Sequence, residues 1–144
     1  MPKRANTFDA KVAKARCKTY RRRILDMSQN VSALHIGGAF SCTEIVDLVY
    51  NDLMRKGANG GPNGGKSPDT FLMSKGHGCM IQYVILEDHG VLSRADLDAY
   101  CTPKGRLGVH PDYGNPGIEA STGSLGHGLS MVVGMALAER GRKT

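Results

Sequence analysis

The spacing of apolar residues predicts two amphipathic helices in the first third of the chain. Over residues 8–32, apolar residues share one face while Lys and Arg occupy the other. That apolar face is predicted to consist of Val12, Ala15, Ile24, Leu25, Met27 and Val31. Gly37-Gly38 break the pattern, and Ser41 with Glu44 has the spacing of a capping box. A second helix is therefore predicted to run to about Met54, with an apolar stripe of Ile45, Leu48, Val49 and Leu53.

The middle of the chain has the pattern of a strand, a turn and a helix. Residues 69–73 form a short run that is consistent with a buried strand. The turn 74–78, Ser-Lys-Gly-His-Gly, follows it. An apolar helix is then predicted from Cys79 to about Asp88, closed by Gly90.

The remaining elements are helices and loops. Ser93 and Asp96 predict a capped helix over about 93–100. Residues 101–117 hold several Pro and Gly turn formers, so a loop is predicted there, before a last helix over about 125–140. Together these patterns indicate a helix-rich α/β fold whose sheet is only partly present in this chain.

A glycine-rich segment, residues 57–65, predicts a surface loop rather than a phosphate-binding loop. Gly65-Lys66-Ser67 lacks the upstream G-x-x-x-x-G-K register, and no apolar strand precedes it.

The net charge of +6 is concentrated in one segment. Residues 1–23 hold nine of the 19 Lys and Arg residues but one of the 13 Asp and Glu residues. No nucleic-acid recognition motif accompanies this charge, so a solvated helix face is the favoured interpretation over a nucleic-acid site. A transit peptide is the weaker alternative for the same segment.

Several features favour a cytoplasmic protein. No stretch approaches the roughly 20 apolar residues that span a bilayer, and the basic start has no secretory h-region. The spacing of Cys17, Cys42, Cys79 and Cys101 matches no zinc pattern, so they are predicted to be reduced thiols.

Candidate chemistry lies in the turns. His35, His77 and His110 each stand beside Gly or Pro, and imidazole can donate, accept and transfer protons near neutral pH. The turns 74–78 and 123–128 each lead into a helix, whose N-terminal N–H groups and dipole suit a phosphate. From the residues alone, a phosphorylated ligand and ordinary turns both remain open.

Five fragments, in this order and spacing, resemble the transketolase family over about residues 10–140. They are His35-Ile36-Gly37-Gly38, Ser74-Lys75-Gly76-His77, Gly108-Val109-His110-Pro111, the run Gly117–Ser130, and Gly134-Met135-Ala136-Leu137-Ala138. The resemblance is greatest to the N-terminal subunit of two-gene (split) transketolases. It implies a parallel sheet flanked by helices, with residues 1–144 as a partial diphosphate-binding domain.

The resemblance also implies roles for individual residues. The implied contacts to thiamine diphosphate are His77, Lys75 and Gly76 for the diphosphate, and Gly123, Ser124 and Leu125 for the aminopyrimidine ring. The implied catalytic residues are His35 and His110, which exchange protons and hydrogen bonds with the donor ketose. No catalytic role is expected for His127.

Two departures from the family pattern stand out. Ala33-Leu34 precede His35, where the family usually has Ser-Gly. In the family, the Asp that binds Mg²⁺ or Ca²⁺ lies on a Gly-Asp-Gly strand after the last helix, so no metal ligand is expected among these 144 residues. The glutamate that activates the aminopyrimidine ring belongs to another domain of the family.

The implied activity is transfer of a two-carbon ketol unit from a ketose phosphate to an aldose phosphate, as in the pentose phosphate pathway. The implied partner is a C-terminal transketolase subunit or region, in a homo- or hetero-oligomer, with no nucleic acid and no membrane. The alternative is a truncated, inactive binding or structural module. The isolated chain is expected to lack transketolase activity and to bind thiamine diphosphate weakly or not at all.

Overall fold

The computed structural model describes residues 8–29, 31, 35–55 and 69–140. These residues form six α-helices and contain no β-strand. The helices are α1 (Ala10–Ser28), α2 (Ile36–Phe40), α3 (Thr43–Leu48), α4 (Cys79–Asp88), α5 (Arg94–Asp98) and α6 (His127–Arg140). A π-helical turn, Val49–Leu53, extends α3, and a 3₁₀ turn, Gly76–Gly78, leads into α4.

Helix α1 is shorter than the predicted 8–32, and its buried face differs from the predicted one. The Asp9 carboxylate caps its start by accepting from the backbone N–H groups of Lys11 and Val12, at 2.8 and 3.2 Å. The buried residues are Cys17, Tyr20, Ile24, Met27 and Ser28. Three residues of the predicted face are instead exposed: Val12, Ala15 and Leu25. Since successive residues turn by about 100°, Leu25 points well away from Ile24.

Helix α2 contains the glycine pair that was predicted to break the helical pattern. Gly37 and Gly38 both lie within Ile36–Phe40, and the Ala39 N–H donates to the His35 carbonyl at 3.1 Å. The pair therefore ends no helix and instead lies in a short one, in which Ala39 is buried and Gly38 presents no side chain to His77.

The predicted capping box at Ser41 and Glu44 does not form. Cys42 holds the N-cap position of α3 without a side-chain cap, and the Ser41 hydroxyl donates to the Gly38 carbonyl at 3.1 Å. The Glu44 carboxylate instead accepts two hydrogen bonds from Arg21 of α1, at 2.6 and 2.7 Å. A charged partner from another helix thus replaces the local cap.

The predicted apolar stripe of α3 and its π-helical extension is wrong at three of its four residues, while Val49 packs partly buried against the core. Ile45, Leu48 and Leu53 are exposed, at 66%, 37% and 60% of their surface. The buried residues are Thr43, Val46, Asp47, Tyr50 and Met54. The predicted α-helix to Met54 ends at Leu48, and the π turn follows, with the Met54 N–H donating to the Val49 carbonyl at 2.8 Å.

Helix α4 forms the centre of the described structure. All eight residues from Cys79 to Leu86 are buried, and the helix contacts α1, α2, α3 and α5. Its predicted bounds and its closure are confirmed, because Gly90 follows it with a φ of 72°. Burial on every side explains the continuous apolar sequence.

The predicted strand at 69–73 forms no β-ladder among the described residues. A strand is defined by its hydrogen-bonded neighbour, and the described parts of the chain supply none. The capping box of α5 is confirmed, although the helix covers Arg94–Asp98 only. The predicted loop at 101–117 has no helix, and α6 begins at His127 rather than Leu125.

The predicted loop at 57–65, the Gly65-Lys66-Ser67 segment and the Ala33-Leu34 departure lie outside the described residues. Within the described helices, none is both long enough and apolar enough to cross a membrane.

Candidate functional site

Three histidines from separate parts of the chain converge on one place. The ring centroids of His35 and His77 are 5.5 Å apart, and those of His35 and His110 are 5.9 Å apart. His35 is exposed, whereas His77 and His110 are half-buried. The residues predicted from three turns therefore share a single cluster, here called the histidine cluster.

His35 and His77 come together because Gly38 lacks a side chain. A Cβ at Gly38 would lie 2.9 Å from the His77 ring and 3.2 Å from the His77 carbonyl oxygen. A Cβ at Gly37, by contrast, would meet nothing within 4 Å. The close approach of α2 to the turn before α4 thus requires glycine at position 38.

The turn that carries His77 is packed on two further sides. A Cβ at Gly76 would lie 2.8 Å from the carbonyl group of Thr122, so the turn abuts the segment before α6. A Cβ at Gly78 would lie 3.3 Å from the Gly38 carbonyl oxygen. His77 therefore sits at the start of α4 in a turn that neighbouring backbone holds in place.

The environment of His77 disfavours its protonated form. Desolvation lowers the pKa of His77 below its usual range, and the positive charges of Lys75, His35 and His110 lower it further. The like charges that act on His77 would favour a negatively charged ligand at this place.

Lys75 makes two hydrogen bonds beside the histidine cluster. Its ammonium group donates to the Gly38 carbonyl and to the Ser41 hydroxyl, both at 2.7 Å. An ammonium group has three donors, so one remains after these two bonds. Lys75 thus links the turn before α4 to the end of α2 and places its ammonium group beside the histidines.

His110 is held in a loop by α4. The Tyr83 hydroxyl lies 2.8 Å from the His110 carbonyl oxygen and 3.1 Å from that of Gly108. The Cys79 thiol lies 3.2 Å from the Val109 carbonyl oxygen. The loop that carries His110 is therefore anchored on the same helix that begins beside His77.

The segment before α6 closes the other side of the cluster. The Thr122 hydroxyl donates to the Met73 carbonyl at 2.7 Å, and the Thr122 N–H donates to the Pro111 carbonyl at 3.2 Å. A Cβ at Gly123 would lie 3.6 Å from the ring of His110. Gly123 is thus in contact with the cluster.

The structure brings some predicted site residues together more closely than others. Six of them meet in or beside the cluster: His35, His77, His110, Lys75, Gly76 and Gly123. Ser124 and Leu125 follow Gly123 in the chain and are exposed. His127, for which no role was predicted, is also exposed and begins α6.

No metal centre is found in the described part of the chain. Within residues 8–29, 31, 35–55 and 69–140, no group of three His, Cys, Asp or Glu residues could hold a metal ion. The four cysteines are free thiols, and Cys17 and Cys79 are buried.

Sequence reasoning missed three residues that shape the site: Gly38 as a packing position, Tyr83 and Thr122. Tyr83 lies in a run of apolar residues and resembles a core residue, and its acceptors are 25 and 27 residues further along the chain. Thr122 reaches Met73 across 49 residues. Only the polar tip of Tyr83 in a largely apolar helix signals that it needs a partner.

The cluster combines the groups that an anionic ligand and proton transfer require. The start of α4 presents the positive end of a helix dipole, and Lys75 and His77 stand beside it. His35 and His110 add imidazoles that can exchange protons with a ligand at this place. The arrangement is therefore suited to bind a phosphorylated compound and to assist its proton transfers.

Comparisons with known proteins identify the family to which the chain belongs. The family model for the transketolase thiamine diphosphate binding domain matches residues 12–144. One of the subunits of the apulose-4-phosphate transketolase of Phocaeicola vulgatus is 42% identical over 120 residues, which are 83% of this chain and 42% of that protein. The chloroplastic transketolase of Spinacia oleracea is 33% identical over 130 residues, 85% of this chain and 17% of that protein.

A solved structure is similar in fold as well. Transketolase from Leishmania mexicana superposes with a TM-score of 0.77 at 29% sequence identity, covering 88% of this chain and 19% of that one. The chain spans less than half the length of each of these relatives. Since the family model covers more than nine-tenths of its residues, the chain belongs to the transketolase family, in the domain that binds thiamine diphosphate.

Proposed function

We propose that this chain supplies the diphosphate-binding part of a transketolase-type enzyme. The observation that carries the proposal is the convergence of His35, His77 and His110 at the start of α4, with the Lys75 ammonium beside them. A helix N-terminus with a lysine ammonium and imidazole N–H donors beside it is a physical match for a diphosphate.

Observations that do not depend on the relatives support a fit of these residues to thiamine diphosphate. A Cβ at Gly38 would collide with His77, and a Cβ at Gly76 would collide with Thr122. The turn is therefore tightly packed against α2 and against the segment before α6. The Lys75 ammonium and the N–H of the His77 ring are both available to donate hydrogen bonds to a diphosphate. We assign His77, Lys75 and Gly76 to the diphosphate, and Gly123, Ser124 and Leu125 to the aminopyrimidine ring.

We assign His35 and His110 to the sugar substrate. When bound, thiamine diphosphate supplies the carbanion chemistry that breaks and forms carbon–carbon bonds. The two imidazoles would donate hydrogen bonds to the ketose oxygens and move protons at its hydroxyl groups. Both are accessible enough to meet a substrate, because His35 is exposed and His110 is half-buried.

The reaction we propose is transfer of a two-carbon ketol unit from a ketose phosphate to an aldose phosphate. Relatives that are transketolases, one of them named as a single subunit, support both this reaction and a complementary C-terminal subunit or region. Mg²⁺ or Ca²⁺, the second half of the cofactor site, the oligomeric state and the cytoplasmic location stay predictions from the sequence.

We also propose that the described helices cover part of a parallel sheet. The segment 69–73 runs without helical structure directly before the His77 turn, as a strand in such a sheet would. The superposition on a transketolase structure supports this architecture.

Affinity purification of the tagged chain from its own cells tests the proposal. We expect a second chain with a Gly-Asp-Gly segment to copurify, and the complex to transfer ketol units when thiamine diphosphate and Mg²⁺ are supplied. Ketose and aldose phosphates of several chain lengths would be assayed as substrate pairs. A His110→Ala variant should lose about 10²-fold in kcat, the scale of a lost general acid or base.

His127→Ala is the matched control, because His127 is exposed and has no assigned role. It should leave turnover unchanged. Purification of the chain alone, together with turnover by the isolated 144 residues, would contradict the need for a partner. A complex that binds the cofactor without any turnover would favour the alternative of an inactive binding module.

A further inference from the structure

The loop that carries His110 has no regular structure of its own. The chain forms no helix between Asp98 and His127, yet the half-buried residues Gly108, Val109 and His110 turn three successive carbonyl groups towards α4. Carbonyl groups removed from water need donors, and no β-ladder supplies them in the described residues. Side chains of α4 lie within hydrogen-bonding distance of these three carbonyl oxygens.

Two side chains of α4 provide donors, and the single Tyr83 proton can be donated to either of two carbonyl oxygens. The Tyr83 hydroxyl lies within hydrogen-bonding distance of the His110 and Gly108 carbonyl oxygens, at 2.8 and 3.1 Å. The Cys79 thiol lies 3.2 Å from the carbonyl oxygen of Val109. Cys79 and Tyr83 are four residues apart in a helix and are both fully buried, so they share one inward face.

Both groups keep their protons at neutral pH and so act as donors. Burial raises the pKa of the Cys79 thiol to about 12. Burial also raises the pKa of the Tyr83 hydroxyl above its usual value, and the adjacent Cys79 adds to this effect.

Pro111 and Gly123 also restrict His110, but neither donates a hydrogen bond to it. Pro111 follows it and favours an extended backbone at His110, which limits the backbone without locating it. Gly123 packs against the ring but has no side chain with which to direct it. The Thr122 N–H donates to the next carbonyl group, that of Pro111, at 3.2 Å, so the bonds from Cys79 and Tyr83 are the ones that hold residues 108–110 on α4.

We propose that Cys79 and Tyr83 are positioning residues that set the place of His110 relative to His77. Helix α4 begins directly after the His77 turn and holds the His110 loop along its next turn, so one rigid element determines both positions. The proposal rests on the proposed function only in treating His110 as a site residue. Neither Cys79 nor Tyr83 is assigned a contact with substrate or cofactor.

Proton NMR of the intact chain can test this without any activity. The Gly123 α-proton that faces the His110 ring should give a cross-relaxation signal with it, because a Cβ there would lie 3.6 Å from that ring. A second signal, between a Gly38 α-proton and the His77 ring, serves as an internal reference. In Tyr83→Phe we expect loss of the His110–Gly123 signal and retention of the His77–Gly38 signal.

Tyr100→Phe is the matched control. Tyr100 is buried with its ring edge-on to Tyr83, at 6.1 Å between centroids, and its hydroxyl has no acceptor within hydrogen-bonding distance in the described residues. It should retain both signals. Retention of both signals in Tyr83→Phe would overturn the proposal, and so would loss of both, since that indicates a general disturbance rather than a specific one.

Cys79 gives a second, independent pair of variants. Cys79→Ser keeps a donor and should retain the His110–Gly123 signal, whereas Cys79→Ala removes the donor and should weaken it. A signal of wild-type strength in Cys79→Ala would remove Cys79 from the proposal. Failure of the transketolase assay would leave these signals unaffected, so the two proposals can fail separately.

Discussion

Helices α4 and α6 look alike in sequence and differ completely in their surroundings. Each follows a glycine-rich turn and is apolar around most of its circumference. In α4, eight consecutive residues are buried, whereas the buried residue of α6 within the described structure is Gly128. Leu129 and Leu137 of α6 are exposed over 64% and 61% of their surface.

The difference shows that an apolar sequence does not by itself determine whether a helix is buried by the rest of the described structure. Helix α4 contacts α1, α2, α3 and α5, so its apolar residues are covered by the chain itself. Helix α6 is held closely at its first turn, where a Cβ on Gly128 would lie 2.4 Å from Leu72 and 2.5 Å from Ser74. The His77 turn leads into α4 and the His110 loop is held on it. Substitutions that destabilise α4 should therefore also disturb the histidine cluster.

Removing side-chain volume from each helix would test this comparison most strongly. Ile85 of α4 is fully buried, so Ile85→Ala should lower the free energy of unfolding by about 2–5 kcal/mol. Leu137→Ala, at an exposed position of α6, should change it by at most about 0.5 kcal/mol. Urea denaturation measures both, and equal losses would show that α6 is as well packed as α4.

A pair of glycine variants within α6 would locate its point of attachment. Gly128→Ala must displace Leu72 and the backbone of Ser74, and should lower the free energy of unfolding by about 1–3 kcal/mol. Gly134→Ala meets nothing within 4 Å and should raise it by up to about 1 kcal/mol, because alanine favours a helix. Urea denaturation measures both changes in the free energy of unfolding. Changes of opposite sign are expected, and changes of the same sign would contradict attachment of α6 at Gly128.

A second glycine pair sharpens the comparison on the α4 side. Gly38→Ala should shift the NMR signals of the His77 ring and lower the free energy of unfolding by about 1 kcal/mol or more, because its Cβ collides with that ring. Gly37→Ala lies in the same helix with open space around it and should leave the His77 signals unchanged. Unshifted His77 signals in Gly38→Ala would show that Gly38 of α2 does not pack against the His77 ring.

The smallest expected effect is a pH dependence at the start of α4. Because the folded state lowers the pKa of His77, the unfolded state binds more protons below about pH 6.5, so stability falls as the pH drops through that range. His77→Gln should remove part of this loss, and His127→Gln should leave it unchanged. Unfolding curves between about pH 8 and pH 5.5 would show an identical slope in all three proteins if His77 is not involved.

Elements with local signals were predictable from the sequence. The Ser93–Asp96 cap of α5 and the Gly90 end of α4 rely on residues within one turn of the helix they bound. The same reasoning failed at Ser41 and Glu44, because Glu44 pairs with Arg21, 23 residues earlier in the chain. Partners far along the chain decide such cases, and a local pattern cannot reveal them.

The candidate site was also only partly predictable, because contacts between distant segments shape it. The residues alone indicated three turn histidines and an anion-friendly helix start, and the family resemblance implied that they act together. Their 5.5 and 5.9 Å ring separations arise from Gly38, Tyr83 and Thr122, whose contacts join distant segments. The predicted strand at 69–73 failed to form a ladder because a strand depends on a neighbour that the described residues do not contain.

The central claim, that the turn before α4 holds a diphosphate, can be tested by NMR titration with thiamine diphosphate and Mg²⁺ up to millimolar concentration. We predict weak, saturable shifts of the His77 ring and of the Gly78 and Cys79 amides, with none when thiamine replaces thiamine diphosphate. His77→Gln should weaken binding about tenfold or more, the effect of one lost hydrogen bond to a charged group, while His127→Gln should bind as the wild type does. Equal shifts with thiamine, or unchanged affinity in His77→Gln, would contradict the assignment.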